Sequence, residues 1–155
     1  MKKLALTIRT AIERGLTRFS LPGDENAVRL LLMISAHESG GFTYCKQKGG
    51  PALGIFQMEP ATFASVMAYL ERTGKFPDIH RNTPVERLVT DVEFAAAMAR
   101  VYLWSFPEAI PDADDLDGLA KYAKQYWNTD LGAATAEKYK SDFITHVWGK
   151  NNVAA

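Results

Sequence analysis

A carboxylate at the end of an apolar helical row is the group in this sequence best placed to do chemistry. Ala27, Leu30, Leu31, Ile34 and Glu38 share one stripe, because residues three, four, seven and eleven positions apart lie on one face of a helix. Gly40-Gly41 is a stop signal, so Glu38 falls in or just beyond the last turn. There the negative end of the helix dipole and the apolar neighbours both favour the neutral acid. A raised pKa is what a general acid working near neutral pH requires. Position alone also fits a solvated glutamate at a helix end, since this residue type is almost never buried without a partner.

Rival chemistries lack their residues. His37-Glu38 could open a zinc-binding helix, but the second histidine of His-Glu-x-x-His is replaced by Gly41. The chain has no phosphate-cradling glycine loop, no cysteine pair and no Gly-x-Ser-x-Gly elbow, so neither a metal nor a cofactor is implied. Cys45 is the sole cysteine, which rules out an internal disulfide. With the three histidines scattered at 37, 80 and 146, it reads as a buried or inert thiol.

At 155 residues the chain suits one domain, able to bury roughly two-thirds of its unfolded surface. Eighteen basic and eighteen acidic residues cancel, which gives no electrostatic case for nucleic acid or an anionic membrane. No run of apolar residues is long enough for a membrane span. Met1 to Ile8 begins like a secretion signal, but Arg9, Glu13 and Arg14 interrupt it, and the expected site of synthesis is a cytoplasm without export by a leader.

Helices account for most of the pattern. Leu4, Ile8, Ile12, Leu16 and Phe19 mark an amphipathic first helix ending at Ser20-Leu21-Pro22-Gly23, a flank on the core. Asp24 caps a second helix that runs to Glu38. From Gly40 to Met58 the glycine-rich composition suits a loop or short β-hairpin that could wall a cleft. Pro60 starts a third helix reaching Thr73-Gly74, and Lys75 to Asn82 reads as an exposed loop. Thr83-Pro84-Val85-Glu86 is a capping box, followed by one central buried helix from Glu86 to Trp104. The acids Asp112, Asp114, Asp115 and Asp117 lack the spacing of a calcium loop and read as helix-capping charges ahead of a fifth helix from Leu116 to about Trp127. A turn over Asn128 to Gly132 leads to a last helix, Ala133 to Trp148, and the tail is frayed. The expected layout is a flanking helix over 1–22, a catalytic core over 24–148 and a tail over 150–155.

Three ordered pieces resemble the soluble lytic transglycosylase domains of the lysozyme superfamily. Those domains carry Glu-Ser after an apolar helix, then Gly-Leu-Met-Gln, then Pro-Ala-Thr, where this chain has Glu38-Ser39, Gly54-Ile55-Phe56-Gln57 and Pro60-Ala61-Thr62. Their later Ala-x-x-Tyr-Asn and downstream tyrosine are similar to Ala123 through Asn128 and Tyr139, with Trp127 filling the slot before Asn128 and Tyr126 one residue early. The likeness covers about residues 24 to 145. It implies a mostly α-helical, lysozyme-like fold and a single catalytic acid/base, Glu38. It also implies polar cleft residues Ser39 and Gln57, an apolar wall at Phe56, and Tyr126 and Asn128 on the substrate, with either Tyr126 or Trp127 facing the acid.

The activity implied is cleavage of the β-1,4 bond between N-acetylmuramic acid and N-acetylglucosamine in peptidoglycan by a monomer, most directly as a lytic transglycosylase. Glycoside cleavage more often uses two carboxylates. Glu59, just before Pro60, either serves the helix N-terminus or reaches the cleft as that second group, which would make the chain a hydrolytic muramidase. A third alternative is a non-catalytic glycan-binding virion module. A murein-cleaving enzyme made without a leader suggests a bacteriophage product, either an endolysin released through a holin or a virion component.

Overall fold

The computed structural model describes residues 1–128 and 133–149 and is mostly helical, with seven α-helices and no regular β-strand among the described residues. The helices are α1 (Lys3–Arg18), α2 (Glu25–Glu38), α3 (Pro60–Thr73), α4 (Arg87–Thr90), α5 (Val92–Trp104), α6 (Leu116–Tyr122) and α7 (Ala136–Phe143). The last two continue as π-helical segments, Ala123–Asn128 and Ile144–Trp148. None of these helices is long and apolar enough to cross a membrane.

Two helices form the centre. α2 is buried from Ala27 to Ala36 apart from Arg29, and α5 is buried from Phe94 to Val101. α1 lies along α5 and α2 and inserts Ala5, Ile8, Ile12 and Leu16, which makes it the expected flank. It is fixed at its rim as well. Arg9 forks onto both oxygens of Glu25 at 2.8 and 2.5 Å, and that hydrogen bonding holds the Glu25 carboxyl down at about 2.

Helix starts follow the sequence signals in most places. The Asp24 side chain accepts from Ala27 N at 2.9 Å, and the Asp115 side chain accepts from Gly118 N at 2.8 Å. Pro60 opens α3 and Gly74 closes it in the left-handed region.

The expected helix from Glu86 to Trp104 is instead two. Residues 85–86 form a turn, α4 follows for one turn, and Asp91 leaves helical geometry at φ −135°, ψ 98°. Asp91 then caps α5 through Phe94 N at 3.0 Å and receives Arg87 at 3.0 Å. A carboxylate that satisfies a fresh helix start outweighs continuity of the helix. Thr83 does not act in a capping box; its hydroxyl donates to His80 O at 2.7 Å.

The loop over 75–82 is exposed at most positions, as its composition suggests, but it is anchored from within. Ile79 is buried, and the Arg81 guanidinium donates to the carbonyls of Leu70, Lys75, Phe76 and Ile79, replacing regular secondary structure with side-chain bonds. Most of the expected turn over 128–132 and all of the tail over 150–155 lie outside the described residues.

Close packing of α1 on α5 depends on Gly15, where an added Cβ would sit 2.3 Å from the Glu93 carbonyl oxygen. Gly→Ala inside a helix ordinarily stabilises by about 1 kcal/mol. Here the sign should reverse: Gly15→Ala should destabilise by about 1–3 kcal/mol, read from urea unfolding, because the methyl forces the two backbones apart.

Candidate active site

Glu38 reaches the surface at the C-terminal end of α2, half-buried above a row that is buried throughout. The helix caps at Ser39, and the chain turns away through Gly40 and Gly41. Ser39 secures this exit. Fully buried, its hydroxyl donates to Ser35 O at 2.6 Å and accepts from Phe42 N at 2.7 Å. It braces the end of α2 from inside rather than facing the cleft as expected, since both of its bonding directions are taken by backbone.

The partner of the acid comes from α7. The Tyr139 hydroxyl, on a side chain with no solvent exposure, donates to Glu38 Oε1 at 2.5 Å. Burial pushes the Glu38 carboxyl above the ordinary glutamate range, while the Tyr139 bond and the adjacent His37 draw it part of the way back. Burial and the neighbouring carboxylate push the Tyr139 phenol well above its ordinary range, so it remains a donor. One oxygen of Glu38 is therefore occupied by a fixed donor, and the other is left to carry and deliver a proton.

A cleft of about 780 Å³ opens over Glu38. Gln57, Met58, Glu59 and Thr62 line it from the segment that leads into α3. Tyr102 comes from α5, and Trp127 and Asn128 from the end of the π-helical segment after α6. Tyr44, Lys46, Gln47 and Lys48 belong to the loop after α2.

That loop is not a hairpin of regular strands. It is held by two isolated antiparallel bridges, Lys46 to Leu53 and Leu53 to Met58, so one short stretch around Leu53 pairs on both sides. Between the bridge partners Leu53 and Met58 the chain makes a tight turn through Gly54-Ile55-Phe56-Gln57. Gly54 sits at φ +74°, and a Cβ there would lie 2.3 Å from Leu88 O, so only glycine fits. Gln57 takes φ +50°, and its amide nitrogen donates to Gly54 O at 2.8 Å. This strained turn sets Gln57 at the cleft and drives Phe56 into the core, where it packs on Trp127 at 6.2 Å. Phe56 thus supports the cleft from below and is not among its lining residues. Cys45 on the same loop is exposed, so of the buried or inert thiol expected it is not the buried one.

Between the two candidate aromatics, Trp127 lines the cleft and Tyr126 does not. Tyr126 stacks with Phe106 at 4.8 Å and Tyr122 at 4.4 Å, while Trp127 meets Tyr102 edge-on at 5.5 Å. A π-helical turn takes up one residue more than an α-turn and so changes which of two consecutive side chains faces a given side. The hydroxyl on Glu38 belongs to neither residue but to Tyr139. Asn128 lies on the cleft wall as expected and accepts from Lys124 Nζ at 2.9 Å. Glu59, at the N-cap of α3, makes no capping bond with its side chain and does line the cleft.

Of the expected site residues, Glu38, Gln57, Asn128 and Glu59 come together, and Ser39, Phe56 and Tyr126 do not line the cleft. Tyr44, Lys46, Gln47 and Lys48 lie on the loop expected to wall a cleft, whereas Tyr102 was not foreseen, because its place depends on helix packing rather than on local pattern. A second depression, of about 770 Å³, lies beside α1 and the α4–α5 junction. Its charges already pair with one another, Arg18 with Asp91 and Glu93, and Arg87 with Asp91, so it offers less for chemistry than the cleft at Glu38. Among the described residues no group of three or more His, Cys, Asp or Glu is placed to hold a metal ion. Comparison with protein-family models, with curated proteins and with solved structures finds no match to this chain.

The raised pKa of Glu38 has a stability consequence. Stability contributed by a group whose folded pKa exceeds its unfolded value is complete below the unfolded value and lost as pH rises through the folded one. Glu38→Gln keeps an acceptor for Tyr139 but cannot ionise. In scanning calorimetry the variant should melt above the wild type at about pH 7.5, and the margin should shrink towards about pH 4.

Proposed function

We propose that this chain is a peptidoglycan-cleaving glycosidase of lysozyme-like fold, working as a lytic transglycosylase with Glu38 as its acid/base, in the bacteriophage setting expected from the sequence. The observation that carries the reading is the half-buried Glu38 carboxyl, held by Tyr139 and lining a cleft of about 780 Å³. A carboxyl whose neutral form burial favours can protonate the glycosidic oxygen between N-acetylmuramic acid and N-acetylglucosamine. As the C–O bond breaks, the substrate's own N-acetyl oxygen can stabilise the oxocarbenium ion. Glu38, now a carboxylate, takes the proton of the muramoyl C6 hydroxyl as its oxygen bonds to C1, which gives a 1,6-anhydro ring and restores the acid. The Tyr139 hydroxyl suits both halves, because it donates to the same oxygen whichever form Glu38 holds. Aromatic and amide groups on the walls, Tyr102, Trp127, Gln57 and Asn128, match the apolar faces and hydroxyl rims of sugar rings.

A second reading is favoured by Glu59, which lines the same cleft with its carboxylate not spent on capping. If Glu59 orients a water, the bond is hydrolysed and the product is a reducing end.

Muropeptides released from purified peptidoglycan and analysed by mass spectrometry separate these outcomes. The wild type should release 1,6-anhydro ends, and Glu38→Gln should lower the rate by about 10²–10⁴-fold. Glu59→Gln should leave the rate of anhydro formation within about threefold. Reducing ends lost in Glu59→Gln would make the chain a hydrolase, and no release by the wild type would leave a glycan-binding module.

A further inference from the structure

Behind the Glu38–Tyr139 bond lies a second linkage between the same two helices. His37, next to the acid on α2, places Nδ1 2.7 Å from Asp142 Oδ2, three residues beyond Tyr139 on α7. A carboxylate only accepts, so Nδ1 carries the hydrogen. The other oxygen of Asp142 is bound by Lys138 Nζ. The imidazole also lies against the Tyr139 ring, with centroids 4.0 Å apart. His37 and Asp142 expose only 14 and 12% of their side chains, a cost for polar groups that the bond between them offsets. Two adjacent residues of α2 thus interlock with two residues one turn apart on α7, and the imidazole backs the phenol that holds the acid.

The geometry points to His37 and Asp142 as positioning residues for the catalytic carboxyl: Asp142 fixes the imidazole, and the imidazole fixes Tyr139 in line with Glu38 Oε1. This rests on the proposed role of Glu38, although the linkage itself can be read without substrate. The titratable and charged groups around His37 are Glu38 on its own helix, Lys138, Tyr139 and Asp142 on α7, and His146 of the following π-helical segment, whose ring lies beside Gly41. Freeing the imidazole loosens the aligned Tyr139 bond, an influence that favours the Glu38 carboxylate, and its loss favours the neutral acid.

The test is a ¹³C NMR titration of the Glu38 carboxyl in the full-length wild type, Asp142→Ala and Asp142→Asn, with turnover of purified peptidoglycan measured beside it. In Asp142→Ala the Glu38 midpoint should rise by about half a unit or more. The alkaline limb of kcat/KM should move up with it, and kcat should fall about tenfold with KM within twofold. Asp142→Asn, whose amide oxygen still accepts from Nδ1, should recover most of kcat. If Asp142→Ala folds poorly, His37→Asn serves in its place: it keeps a donor near Asp142 but loses the ring against Tyr139, and it should raise the Glu38 midpoint in the same way. A Glu38 midpoint unmoved in Asp142→Ala or His37→Asn would overturn the assignment, as would equal kcat losses in Asp142→Ala and Asp142→Asn. A midpoint shifted in the variants, with a wild type that cleaves nothing, would keep the linkage and remove the glycosidase.

Discussion

The arrangement depends on one hydrogen bond, from the Tyr139 hydroxyl to Glu38 Oε1, made where both side chains have left most of their water behind. A carboxyl at the end of an apolar helix has two ways to be tolerated: to stay neutral, or to find a donor. Here burial pulls towards the first and Tyr139 towards the second, and burial is the stronger of the two. That balance requires the end of α2 to sit against α7, and the packing of both helices serves it. Ser39 braces the exit of α2 from within, and the buried Phe143 seats the same stretch of α7 in the core.

Local signals in the chain predicted much of this. The stripe of Ala27, Leu30, Leu31 and Ile34 placed Glu38 at the end of a buried row, and all four are fully buried. Asp24, Pro60 and Asp115 marked helix starts through side-chain and ring chemistry that acts within one turn, which is why they were legible without tertiary information. The loop after α2 was legible as irregular from its glycines, though its pairing reduces to single bridges.

What escaped was set by distance along the chain. Asp91 ends one helix and caps the next while receiving Arg18 from α1, and a pattern of apolar spacing cannot register that contact. The choice between Tyr126 and Trp127 turned on a π-helical segment, a change of one residue per turn that periodicity averages away. The resemblance matched Tyr139 to a downstream tyrosine but gave it no partner; only the fold brings it to an acid 101 residues earlier. A tyrosine and an aspartate three apart on one helix, facing a His-Glu pair, is the sort of signal that could have suggested the linkage, because positions three and four apart share a face.

The 101-residue separation between Glu38 and Tyr139 also orders events during folding. Individual helices form within about a microsecond, whereas contacts between distant parts of a chain wait on loop closure and slow the overall reaction. α2 can be helical, with Glu38 in place at its end, long before α7 arrives. A chain with every helix formed but α7 undocked therefore carries Glu38 without the donor that holds it.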